Sequence, residues 1–140
     1  MNYSKLAEEL MESMIRVRKL SLNKQLDNVS FGERKILAYL HYHNNGATSG
    51  ELSEKLDLTT PRVASTLKSL EKKAFIKRVQ DPSDKRVVIV TVTKEGREFV
   101  KREREEAQTA LSYLLQELGE EDSKDFTRIM KRIATIKESR

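Results

Sequence analysis

The sequence contains no cysteine. That excludes a disulfide framework, a thiolate-bound metal and a cysteine-based peroxide sensor. Only five glycines and two prolines occur in 140 residues, so there are few places for loops and most of the chain is expected to be regular structure. No run approaches the roughly 18 consecutive apolar residues of a membrane span, and no membrane partner is expected. The opening MNYSKLAEELMESM carries acids early and lacks a basic stretch followed by an apolar one. No signal peptide is therefore read there, and a cytoplasmic location is the expectation. There is no G-x-S-x-G, P-loop, Rossmann glycine pattern or H-E-x-x-H. The carboxylates sit beside Lys and Arg on polar helix faces, the pattern of a solvated surface, so neither enzymatic activity nor a cofactor is expected. His41 and His43 are the only histidines. Two residues apart on a helix, their rings point about 200° from one another, which argues against a shared metal ion.

What the chain does have is charge. Charged residues make up 35% of it, against a typical share of about 25%, with a net charge of +5. Residues 1–47 hold +2 of this, residues 48–92 hold +3, and residues 93–140 are balanced. The excess admits a polyanion as partner. The hydrophobic fraction of 37% supports a lean core, one that long helices would complete by burial against a second subunit.

Apolar spacing gives the order of elements. Leu6, Leu10, Met14 and Val17, followed by Leu20, Leu22 and Leu26, predict a helix over residues 3–26. Ser30 and Glu33 form a capping box that opens a second helix, with Ile36, Leu37 and Leu40 on its buried face and Asn44-Asn45-Gly46 ending it. Thr48 and Glu51 repeat the box before a short helix containing Leu52 and Leu56. Asp57 marks a tight turn. Thr60 as cap and Pro61 at the first helical position open a helix to about Lys73. Residues 76–80 and 87–92 read as strands joined by a charged tip at 81–86. Thr93 caps a long helix to about Leu118, Gly119 breaks it, and Phe126, Ile129, Met130, Ile133 and Ile136 stripe a last helix.

Two short helices joined by a tight turn and followed by a hairpin is the layout of a winged helix. In such a fold the second helix of the pair enters the major groove. Arg62, Lys68 and Lys72 are long enough to reach phosphates or guanine edges, while Thr60, Ser65 and Ser69 are short enough to permit close approach. Glu71 is the only acid from Arg62 to Lys73. At the hairpin tip, Asp84 can hold the Arg86 guanidinium through a charge-assisted bond and aim it at a narrow minor groove. Lys77, Arg78 and Lys85 would add phosphate contacts. The competing reading of both features is an ordinary solvated helix face and a surface ion pair.

The stretch ELSEKLDLTTPRVASTLKSLEKKAFIKRVQDPSDKRVVIVTVTKEG resembles the DNA-binding core of the MarR family of transcriptional regulators. The likeness is close over residues 48–96, and most specific in DPSDKR followed after six residues by TKEG. It implies a mostly α winged helix-turn-helix chain with three parts that do not fold independently. These are an N-terminal dimerisation helix (1–29), a DNA-binding domain (30–95) and C-terminal dimerisation helices (96–140). By the same resemblance, Pro61 lies in the recognition helix, Arg86 sits at the wing tip positioned by Asp84, and Thr48 would touch a phosphate. Leu6, Leu10, Met14, Phe126, Ile129 and Ile133 would lie in the dimer seam. Two positions depart from the family pattern: Asp57 and Ala74 stand where glycine is frequent. Asp57 tolerates a left-handed turn; Ala74 bears on how the helix hands over to the wing.

Many members of this family release DNA on binding a small molecule. Met14, Arg18, Tyr39 and His43 have the spacing to line such a pocket, although ordinary packing explains them as well. The expected function is a homodimeric, sequence-specific DNA-binding repressor on a pseudo-palindromic operator, with double-stranded DNA, a second copy and a small-molecule effector as partners. The alternative is a winged-helix protein-interaction module that does not read DNA.

Overall fold

The computed structural model describes residues 1–22 and 28–140, apart from the side chains of Leu20–Leu22; Leu26 of the first expected stripe lies outside the described residues. The chain divides into two compact units, Met1–Ser30 and Phe31–Arg140. In the first, α1 (Tyr3–Leu22) begins where Asn2 Oδ1 accepts from the Lys5 N–H. Leu6, Leu10, Met14 and Val17 are exposed along it.

The second unit runs α2 (Phe31–Tyr42), β1 (Ala47–Thr48), α3 (Ser49–Leu56), α4 (Thr60–Lys72), β2 (Ile76–Asp81), β3 (Asp84–Val92), α5 (Lys94–Leu118) and α6 (Glu120–Glu138). Its core follows from the expected stripes. Ile36, Leu37 and Leu40 of α2 close against Leu52 of α3 and Val63, Leu67 and Leu70 of α4, all essentially out of contact with solvent. Each side chain of this kind contributes about 1.5–3 kcal/mol by leaving water. Ala47, Ile76, Val90 and Val92 carry the core into the sheet, and Phe99 and Val100 extend it under α5.

The three strands are antiparallel in the order β1-β3-β2. β1 was not foreseen: two residues are too few to show a period of two, yet Ala47 and Thr48 pair with Val90 and Ile89. Asn45 completes this edge by accepting from the Val92 N–H at 2.9 Å. The hairpin is also tighter than its composition suggested. Asp84, Lys85 and Arg86 belong to β3, and Asp81 faces Asp84 across a two-residue tip of Pro82 and Ser83. Beyond the core neither strand has a face to bury, so charged residues pair there without the apolar alternation that marks a strand.

The wing is fastened to α5 around Thr93. Thr93 accepts from the Gly96 N–H as cap, donates its hydroxyl to Ala74 O at 2.7 Å, and sends its own N–H to Phe75 O. Phe75 stacks on Phe99 with ring centroids 5.1 Å apart. A Cβ on Gly96 would lie 2.3 Å from Phe75 O, so this close approach requires glycine. At the far end Gly119, with φ +89°, turns the chain into α6, and Ser123 donates to Leu115 O across the corner.

Candidate nucleic-acid interface

α3 and α4 are set by their caps. Thr48 Oγ1 accepts from the Glu51 N–H at 3.1 Å, one half of the expected capping box, while Glu51 Oε2 accepts from Tyr39 and Asn44. That leaves the Thr48 hydroxyl proton free to donate. Asp57 adopts φ +53° and ψ +49° and closes α3 with its N–H on Ser53 O, the left-handed turn anticipated for this residue. The cap of α4 is Thr59, whose Oγ1 accepts from the Arg62 N–H, and not Thr60; Pro61 accordingly falls one position later. Either threonine can serve chemically. The tight turn after Asp57 puts Thr59 in the extended conformation that a cap requires.

Val63, Thr66, Leu67 and Leu70 hold α4 in the core. Thr60, Pro61, Arg62, Ser65, Lys68 and Lys72 are exposed. Ser69 is different: it is half-buried, and its hydroxyl donates to Glu33 Oε2 of α2 at 3.3 Å. Lys73 Nζ donates to the same oxygen at 2.7 Å. Of the side chains expected on the outward face, four (Arg62, Ser65, Lys68, Lys72) project together, and Ser69 turns inward.

On the wing, Arg86 Nε donates to Asp84 Oδ1 at 3.1 Å and Nη2 to Oδ2 at 3.4 Å, while the Arg86 backbone N–H also bonds Oδ1. The Arg86 side chain is nevertheless 91% exposed, so the clasp orients the guanidinium without covering it. The bonds from Arg86 hold the Asp84 carboxyl below the usual carboxylate range. Lys77 and Lys85 are exposed. Arg78 is committed within the protein: its Nη2 donates to Glu71 Oε1 of α4 at 2.9 Å. That bond raises the Arg78 pKa and lowers that of Glu71. The only acid of the α4 sequence between Arg62 and Lys73 thus ties this helix to the wing.

Tyr39 and His43 stack with centroids 5.4 Å apart. They line a hollow of about 420 Å³ with Lys35, Tyr42 and Lys55. The Tyr39 hydroxyl donates to Glu51 Oε2 at 2.7 Å, where Asn44 Nδ2 also donates. This bond lowers the Glu51 pKa and raises that of Tyr39. Met14 and Arg18 belong to the other unit, where they line a separate hollow with Met11 and Ile15. Arg34 connects α2 to α5 by an ion pair with Glu103, its guanidinium 5.9 Å from the Phe99 ring centre. His41 packs edge-on against Tyr42, away from the Tyr39–His43 stack. Among the described residues no helix is long and apolar enough to cross a membrane.

Sequence reasoning missed Glu33 as an anchor, along with Lys73, the Glu71–Arg78 tie and the Arg34–Glu103 pair. One signal was present. Glu33 stands three and four residues before Ile36 and Leu37 and so occupies the buried stripe of α2.

The arrangement of α2, α3, α4 and wing coincides with residues 30–88, which match the MarR family model. Over this segment the chain is similar to the MarR family. The MarR segment takes in α2 to the middle of β3. Two Bacillus subtilis proteins are similar in sequence. The uncharacterized HTH-type transcriptional regulator YwhA is 24% identical over 139 residues, covering 96% of this chain and 99% of that protein. The uncharacterized HTH-type transcriptional regulator YdgJ is 26% identical over 97 residues; the match takes in 69% of this chain but only 59% of YdgJ's length. Among solved structures, Streptococcus pneumoniae FabT in complex with DNA superposes with a TM-score of 0.72 at 21% identity, over 99% of both chains. MepR, a transcription regulator of the Staphylococcus aureus multidrug efflux pump MepA, superposes with a TM-score of 0.72 at 22% identity, over 96% of this chain and 98% of that one. These two likenesses establish the MarR-type winged-helix fold along nearly the whole chain.

Proposed function

We propose that this protein is a homodimeric, sequence-specific DNA-binding transcriptional regulator that acts as a repressor on a pseudo-palindromic operator. The observation that carries the reading is the pairing of two exposed basic features on one compact unit. One is the Arg62/Ser65/Lys68/Lys72 face of α4. The other is Arg86, clasped by Asp84 yet almost fully exposed. α4 would enter the major groove, where Arg62 and Ser65 meet base edges and Lys68 and Lys72 meet phosphates. Arg86 would enter the adjoining minor groove, with Lys77 and Lys85 on the backbone. The Thr48 hydroxyl, at the start of α3, would donate to a phosphate near the positive end of that helix. The resemblance of the chain to proteins described as transcriptional regulators, and to a FabT structure containing DNA, supports the same reading.

Release by a small molecule belongs to this proposal. The hollow beside Tyr39 and His43 is bordered by Lys35 and Lys55, which suits an aromatic anion. A ligand there would act by changing the separation of two recognition helices, which must lie about 34 Å apart to meet successive half-sites.

Fluorescence anisotropy on the duplex upstream of the gene and on a scrambled duplex, over a range of salt concentrations, tests the reading. Binding of one dimer to the native duplex at least ~10³-fold more tightly than to the scramble is the expected result. Absence of binding to both at low salt would instead favour a winged-helix protein-interaction module.

A further inference from the structure

We infer that Glu33 is a positioning residue for DNA readout: it fixes α4 about its own axis and withholds Lys73 and Ser69 from the DNA backbone. This rests on the DNA-binding reading and adds to it a residue that touches no DNA.

The starting observation is a carboxylate where an apolar side chain would serve stability better. Glu33 lies on α2 and is bonded to side chains of the α4 segment, its own side chain only 7% exposed. A charge taken from water is tolerated only when it is paired and hydrogen-bonded, and an apolar residue of similar volume is often as stabilising or more so. What a buried ion pair adds is a directional restraint. Glu33 Oε2 receives Lys73 Nζ at 2.7 Å and Ser69 Oγ at 3.3 Å. These two donors are four residues apart and therefore stacked on one side of α4.

Helical geometry shows what the restraint withholds. At 100° per residue, Ser69 lies about 20° to one side of Arg62 and Lys73 about 20° to the other. Arg62, Ser69 and Lys73 would thus form one continuous stripe, at the edge of the face formed by Ser65, Lys68 and Lys72. Glu33 takes the lower two members of that stripe. The lysine it binds would otherwise add a phosphate contact that carries no sequence information. On the far side of the helix Glu71 is bonded to Arg78 of the wing, so α4 is restrained against rotation in both directions.

The test uses the full-length protein and a duplex selected by the wild type from a random pool, with a scrambled duplex as control and anisotropy read across salt concentrations. Glu33→Gln is expected to weaken the hold of α2 on Lys73. The slope of log K against log salt becomes steeper by about 0.9 per recognition helix engaged, binding to the scramble tightens, and discrimination falls about tenfold. Lys73→Met leaves the salt slope unchanged and lowers discrimination. The double variant returns the slope to the wild-type value. A flatter slope for Lys73→Met alone would show that Lys73 already contacts phosphate and would overturn the inference. So would a Glu33→Gln protein with unaltered slope and discrimination. If Glu33→Gln fails to fold, Lys73→Met decides by the same slope. A wild type that selects no duplex would overturn the DNA-binding reading itself, and the role of Glu33 with it.

Discussion

Ala74 is the residue whose backbone is least at ease. It adopts φ +64° immediately after α4, where its N–H bonds Glu71 O and its carbonyl accepts from Thr93. A left-handed conformation costs an L-residue with a Cβ about 1–2 kcal/mol, and glycine escapes most of that cost. Ala74→Gly is therefore expected to stabilise the fold by about 0.5–1 kcal/mol in chemical denaturation; a loss of stability would mean that the methyl group packs usefully. Gly96 presents the opposite case. Its missing side chain lets α5 lie against Phe75 O, and the Val92 side chain closes the other side. Gly96→Ala is expected to destabilise by about 1–3 kcal/mol, because the obstructing atom is backbone and cannot rotate away. Denaturation midpoints of the two variants should move in opposite directions. Arg86 belongs to function. Its guanidinium contacts Asp84 and is otherwise exposed, so Arg86→Ala should leave the melting curve in place and weaken operator binding roughly 10- to 100-fold. Unfolding or loss of the dimer in that variant would remove the wing role.

At the level of the element, α4 is where readout and structure divide one surface. Arg62→Ala or Ser65→Ala is expected to change discrimination between related operators by about 1–3 kcal/mol, whereas Lys68→Ala should weaken all duplexes alike and flatten the salt slope. Equal losses on every sequence for Arg62→Ala would reassign it to the backbone. The limits of α3 and α5 were legible because caps and breakers are local: Thr48, Asp57, Thr93 and Gly119 each act within four residues. Thr59 and Thr60 are adjacent and chemically alike, so only the three-dimensional path of the turn decides between them. The far ends of β2 and β3 have the composition of a loop because pairing there is not accompanied by burial. β1 is too short to carry a pattern. The inward turn of Ser69 and the ties Glu33–Lys73 and Glu71–Arg78 join residues 36, 40 and 7 positions apart. Pairings of this kind arise only after α2, α4 and the wing have packed, and no local rule of composition anticipates them. Glu33 was the exception in part: a carboxylate on an apolar stripe marks a buried charge whose partner must come from another element.

On the scale of the whole molecule, the second unit leaves apolar side chains in water along its last two helices. Leu111, Leu114 and Leu118 of α5 and Phe126, Ile129, Met130, Ile133 and Ile136 of α6 are each between 41% and 53% exposed. Their spacing of three and four places them in stripes along the two helices. Exposed apolar stripes of this kind suit an interaction site. The surface around these stripes has balanced charge, since residues 93–140 carry as many acids as bases, which suits contact between identical copies because it opposes no like-charge repulsion. The positive excess on which the proposed DNA binding would draw lies instead before residue 93, net +3 of it in residues 48–92. On the proposed function, this division would make dimerisation and DNA binding separable by mutation. Ile129→Glu combined with Ile133→Glu is expected to give a protein that sediments as a monomer at concentrations where the wild type is a dimer. The core of α2, α3, α4 and the sheet should survive, because it uses neither residue. Each monomer then meets a single half-site, and operator affinity should fall by roughly 10²-fold or more as the second contact ceases to be intramolecular. Leu6→Asp with Leu10→Asp applies the same test to α1, whose stripe is equally exposed. If the α6 variant still sediments as a dimer, that stripe is not the seam. If it is monomeric with operator affinity unchanged, one lobe reads the whole site, and no pairing of recognition helices about 34 Å apart is needed.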